Sequence, residues 1–173
     1  MRKIVAPACV AISLLSAPAF AASPANPATA NFNVTITIVK ECSVSTPATI
    51  SLGTYGAVSL ISSGASGTTN FNVTCSAGAP YTIGFSSSND LTGAASTHQM
   101  KGTGANTAVV QYQLTDATAG AKNTTALGGT TSVISDTGTG AAQNKILKAA
   151  VFNYTAPVAP DTYTDTVTLS VSY

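Results

Sequence analysis

Three sets of residues in this chain have types and spacings from which chemistry could be built. His98 is the single histidine, so an activated serine would have to be assembled from His98, Asp90 and one of many serines. No Gly-x-Ser-x-Gly pattern surrounds any serine to present it on the strained strand-to-helix turn that such nucleophiles use. His98 therefore reads as a surface-loop residue. Asp161 and Asp165 stand four residues apart, and glycoside hydrolysis wants two carboxyl groups roughly 5 to 9.5 Å apart. They flank a turn and a strand start, where aspartate serves local hydrogen bonding, and a chain with no tryptophan has no indole platform for a sugar ring. One histidine excludes paired imidazoles, and neither a metal nor a cofactor is expected. The chain reads as a non-enzyme.

The third set is the cysteines, whose chemistry depends on compartment. Arg2 and Lys3 precede an apolar run from Ile4 to Leu15 and small residues at Ala19 and Ala21, the pattern of a secretory signal peptide over residues 1–21. The run is well short of the roughly twenty residues that span hydrocarbon, so no direct membrane anchor is expected. Removing this segment takes Cys9 with it and leaves Cys42 and Cys75 in a chain sent to an oxidising compartment. A single connectivity follows, Cys42 to Cys75. The processed chain keeps five lysines against six carboxylates and no arginine, a net charge of −1. It has no electrostatic footprint for nucleic acid or anionic lipid.

The elements that hold these residues are strands. Residues 22–31 include Pro24 and Pro27 and no large apolar side chain, a flexible leader. Period-two alternation then begins, with Phe32, Val34, Ile36 and Ile38 on one face and Asn33, Thr35 and Thr37 on the other. The same pattern recurs at Ile50-Ser51-Leu52, at Phe71, Val73 and Cys75, at Tyr81, Ile83 and Phe85, and at Val110, Tyr112 and Leu114, with weaker candidates at Ser132–Ile134 and Ile146–Tyr154. It closes with Tyr163, Asp165, Val167, Leu169, Val171 and Tyr173 on one face of a single long strand. Ser62–Thr69, Gly102–Thr107 and Ala117–Thr131 have turn compositions, and no segment shows a helical period. Short alternating strands without intervening helices predict one all-β antiparallel sandwich over residues 40–173.

The alternating Phe32–Ile38 segment, Cys42 shortly after it, Phe71-Asn72-Val73-Thr74-Cys75 and the terminal Tyr163–Tyr173 stretch together resemble the spore coat protein U domain family, which includes major pilins of archaic chaperone-usher pili. Asp161 stands where that family commonly has glycine. The resemblance implies an immunoglobulin-like sandwich lacking its final strand, with a groove edged by Tyr163, Val167, Leu169, Val171 and Tyr173. It implies that a periplasmic chaperone fills the groove first, and that Phe32, Val34, Ile36 and Ile38 of a neighbouring copy, on a donor strand at residues 32–39, fill it afterwards, a mode of strand addition known for pilins. Function is then that of a structural subunit of a head-to-tail extracellular fimbrium, exported through the periplasm and an outer-membrane usher and supporting adhesion and biofilm formation. A secreted coat or matrix protein, or a minor adhesive tip subunit, is the alternative with the same fold.

Overall fold

The computed structural model describes residues 27–57, 64–89, 97–120, 126–151 and 157–173, with the backbone alone at 129–132. The expected signal peptide, Asp90 and the end of the strand expected to reach Tyr154 lie outside them. The chain divides into two units, Met1–Thr37 and Ile38–Tyr173. All ten described strands belong to the second: β1 (Cys42–Val44), β2 (Ala65–Cys75), β3 (Pro80–Ser87), β4 (His98–Gly102), β5 (Val109–Asp116), β6 (Ala126–Leu127), β7 (Gly129–Thr137), β8 (Ala142–Val151), β9 (Tyr163–Thr164) and β10 (Val167–Ser172).

Every pairing is antiparallel. One sheet runs β1-β2-β8-β5-β4-β9 with β6 also on β5, and the other runs β10-β3-β7. Alternation explains why these segments pair as they do. Phe71, Val73 and Cys75 of β2, Val110, Tyr112 and Leu114 of β5, and Tyr81, Ile83 and Phe85 of β3 are all buried in one core between the sheets, while the residues between them are more exposed. Each large apolar side chain so buried contributes about 1.5 to 3 kcal/mol.

Several expectations need correction. The Ser62–Thr69 interval is not a turn throughout, because β2 already begins at Ala65. Likewise β6 and β7 occupy part of Ala117–Thr131. Ile50-Ser51-Leu52 forms no ladder. Tyr163–Tyr173 is not one strand: β9 pairs with β4 and β10 with β3, so the chain changes sheets at Asp165 and Thr166.

His98 is the clearest departure, being fully buried on β4 rather than on a surface loop. β4 and β6 share one edge of β5, β4 along its first half and β6 along its second. His98 faces inward beside Tyr112, ring centroids 5.3 Å apart, and its Nε2 lies 3.0 Å from the Leu127 carbonyl oxygen. A carbonyl oxygen only accepts, so Nε2 donates. The imidazole thus joins the two short strands at their seam, and its role is structural.

Another buried polar group is Lys145 on β8, whose side chain is 8% exposed and whose Nζ lies 2.5 Å from Asp136 Oδ2 on β7. The lysine also approaches the Tyr81 ring, 6.0 Å from its centroid, so one cation ties β8 of the large sheet to β3 and β7 of the small one. Burial lowers the Lys145 pKa, but the Asp136 hydrogen bond and the surrounding groups outweigh it, leaving the group above its ordinary 10.5. Burial pushes the Tyr81 hydroxyl above its ordinary 10.0, with the Lys145 charge opposing. Both groups hold protons more tightly in the folded chain, so their contribution is complete below the unfolded values and declines as pH rises through the folded ones. Denaturant midpoints measured from pH 8 upward are expected to fall beyond about pH 10, and to fall less in a Lys145→Met, Tyr81→Phe double variant. An equal fall in both proteins would show that this cluster does not set the alkaline limb.

Candidate functional site

The features that call for a partner are on β10. Among the described residues it ladders with β3 alone, from Val167 opposite Ser87 to Ser172 opposite Thr82, and it ends the small sheet. Its inward residues Val167, Leu169 and Val171 pack against the core yet are only half-buried. On the adjoining β3 the inward Tyr81, Ile83 and Phe85 are at most 2% exposed. The two strands share sequence character and differ in neighbours, since among the described residues β3 is flanked on both edges and β10 on one. An edge of this kind presents a row of backbone donors and acceptors and an apolar face together, which is the template for strand addition.

Phe32–Ile38 is the segment expected to be the donor. It joins no ladder among the described residues, and Phe32, Val34, Ile36 and Ile38 are 85–86% exposed. Four large apolar side chains at alternate positions have no use in water.

The other expected site residues fall as follows. Cys42 and Cys75 are bonded and sit directly opposite one another in the β1–β2 register, so the bond reinforces a three-residue strand within one sheet. Tyr173 lies just beyond β10 and is largely exposed. Tyr163 is on β9 in the large sheet, where its hydroxyl donates to the Ala159 carbonyl at 2.7 Å and accepts from Asn106 Nδ2 at 2.6 Å. It does not edge β10.

Asp161 and Asp165 have separate tasks. Asp161 Oδ2 accepts from the Gly104 amide at 3.2 Å, and a Cβ at Gly102, the last residue of β4, would stand 2.5 Å from that same oxygen. Glycine at 102 is what makes room for the carboxylate. Asp165, at the sheet change, accepts from Ser87 Oγ and Tyr112 OH at 2.6 Å each, from Asn89 Nδ2 at 3.0 Å and from Ser88 Oγ at 3.3 Å. Sequence reasoning missed this hub, although an aspartate on the apolar face of an alternating strand was the available signal. Among the described residues no group of three or more metal-ligating side chains comes together.

The family model for the Spore Coat Protein U domain matches residues 28–170. The chain belongs to that family. Among solved structures it is similar to a chain of the CsuC–CsuE chaperone-tip adhesion subunit pre-assembly complex from archaic chaperone-usher Csu pili of Acinetobacter baumannii, with a TM-score of 0.52 and 15% identity. The match covers 79% of this chain and 41% of that one, so this chain spans less than half of that neighbour, and the likeness is one of fold. A search of curated proteins gave no match.

Proposed function

We propose that this protein is a structural, non-enzymatic subunit of an extracellular pilus that assembles by strand donation. The observation that supports it most is the half-buried Val167, Leu169 and Val171 row on a strand that, among the described residues, has one unpaired edge, in a chain whose Phe32–Ile38 alternation is displayed. Burying those four side chains contributes on the order of 6 to 12 kcal/mol before ordering costs, and each ladder hydrogen bond adds about 1 kcal/mol. A donor on one copy and an acceptor on the next make a heterologous contact that does not close, which yields a filament. Residues 1–21 are then a signal peptide, 22–31 a leader, 32–39 the donor strand and 40–173 the acceptor domain. Family membership and the Csu pilus neighbour support a periplasmic chaperone that fills the edge before assembly, an outer-membrane usher, and a role in adhesion and biofilm formation.

Co-expression with the cognate chaperone, followed by unboiled denaturing gels and electron microscopy, tests this. Wild-type protein is expected to give heat-dissociable ladders and filaments. Ile36→Asp, which places a charge in the donated row, is expected to remain a folded, chaperone-bound monomer. A wild-type chain that stays a free, stable monomer would sink the proposal in favour of a self-contained coat or matrix domain.

A further inference from the structure

Among the described residues the small sheet has two edges, β10 and β7. Any such edge is a template for another chain, so β7 invites the same chemistry as β10. Its first seven residues, Gly-Thr-Thr-Ser-Val-Ile-Ser over 129–135, carry no charge and no proline and are rich in β-branched types. A displayed segment of that composition pairs readily with copies of itself.

The backbones of the two edges differ. β10 follows β3 without a break, from Val167 opposite Ser87 to Ser172 opposite Thr82. β7 keeps step with β3 only from Thr137 opposite Pro80 to Ile134 opposite Ile83, and meets it next at Gly129 opposite Phe85. One residue of β3, Gly84, therefore stands against four of β7, residues 130–133. Extra residues in one strand of a pair bend it and turn its free donors and acceptors out of line, and an incoming strand needs those groups in a straight row.

Charge separates the edges as well. The inward row of β10 is Val167, Leu169 and Val171. On β7, Asp136 stands opposite the buried Tyr81 and so points inward, where it holds the Lys145 ammonium and keeps 29% of its side chain exposed. A strand laid along β7 would strip the remaining water from that carboxylate, and desolvating an ion is costly even when it is paired.

We propose that the bulge at residues 130–133 and the inward Asp136–Lys145 pair bar strand addition at β7, leaving β10 as the one edge of the small sheet open to another chain. Growth is then confined to single file, because copies open on both edges would also join side by side. The barrier follows from the ladders of the folded domain and is independent of which segment is donated to β10.

The test uses the full processed chain carrying Ile36→Asp as parent, so that Phe32–Ile38 does not drive association. Deleting residues 130–132 from it would leave Val133 opposite Gly84 and Gly129 opposite Phe85, a continuous ladder with its alternation preserved. A second variant, Asp136→Thr with Lys145→Met, keeps the bulge and removes both charges. Circular dichroism and urea unfolding report folding, and sedimentation velocity reports association. The deletion variant is expected to fold, to self-associate at least about tenfold more tightly than the parent, a change of about 1.4 kcal/mol, and to gain hydrogen-exchange protection at β7 amides. Adding Val133→Lys to the deletion, which places a charge on the mended edge, is expected to restore the monomer. A folded deletion variant as monomeric as its parent overturns the barrier. Association that leaves β7 exchange unchanged, or that Val133→Lys does not reverse, overturns it too, since contact is then made elsewhere. If the deletion prevents folding, the charge variant decides alone: tighter association with β7 protected supports the barrier, and an unchanged monomer overturns it.

Discussion

Asp165→Ala is expected to lower the unfolding free energy by about 3 to 5 kcal/mol, the range in which losing a hydrogen-bonded network falls. The reason lies in where the carboxylate sits. The chain leaves β9 in the large sheet and enters β10 in the small one within two residues, and Asp165 accepts four hydrogen bonds at that crossing, from Ser87, Ser88 and Asn89 at the end of β3 and from Tyr112 on β5. A hydrogen bond to a charged group contributes about 1.5 to 3 kcal/mol, and the loss is not additive across one acceptor. Asp165→Asn keeps the shape and part of the accepting capacity, so it should cost less than half as much. Urea titration of the three proteins measures this directly. If Asp165→Ala and Asp165→Asn unfold at the wild-type midpoint, the crossing is held by the apolar residues of β10 alone.

Removal of the disulfide is the second large effect. Cys42 and Cys75 close a loop with a sequence separation of 33, for which the chain-entropy account gives about 3.7 kcal/mol at 25 °C. The local consequence exceeds the global one. β1 has three paired residues, supported by the Ser76 amide donating to the Glu41 carbonyl at 2.9 Å and the Ser45 amide to Asn72, and strands this short are marginal alone. A Cys42→Ser, Cys75→Ser variant is expected to lose about 3 to 4 kcal/mol in urea unfolding and to show fast exchange at Cys42–Val44 under conditions where β3 and β5 stay protected. Protection of β1 equal to that of β2 in the variant would show that hydrogen bonding alone holds the strand.

How far the fold could be read from sequence varied with what controlled each residue. Where burial alone decides, as at Phe71, Val73 and Cys75 or Tyr81, Ile83 and Phe85, the period of two was visible and the side chains are buried. Cys42 to Cys75 followed from elimination of Cys9. Where one segment packs on another, composition follows the neighbour. Ala65–Thr69 looked like a turn in part because Gly67 stands in it, where a Cβ would meet the Ser51 carbonyl oxygen at 2.7 Å and Ile50 Cγ2 at 2.9 Å. Tyr163–Tyr173 looked continuous because alternation persists through a change of sheet, and only the hydrogen-bond hub at Asp165 marks the break. His98 looked solvated because its partner, the Leu127 carbonyl 29 residues away, is supplied by tertiary structure, and the pairing of Lys145 on β8 with Asp136 on β7 of the other sheet left no sequence pattern for the same reason. At the candidate site, the displayed Phe32–Ile38 row and the Val167–Val171 face were legible as patterns.

The position of the disulfide has a mechanical meaning in any fibre built this way. Tension transmitted along such a fibre enters each subunit through its donor segment, and the next ordered element after Ile38 is β1, beginning at Cys42. A three-residue strand loaded from its end would peel from β2 one ladder hydrogen bond at a time. Because Cys42 is covalently joined to Cys75 at the first position of that ladder, the load passes straight into the eleven-residue β2 and through it into β8. Force is thus spread in shear across the longest ladder of the domain, and the weak strand is relieved of it.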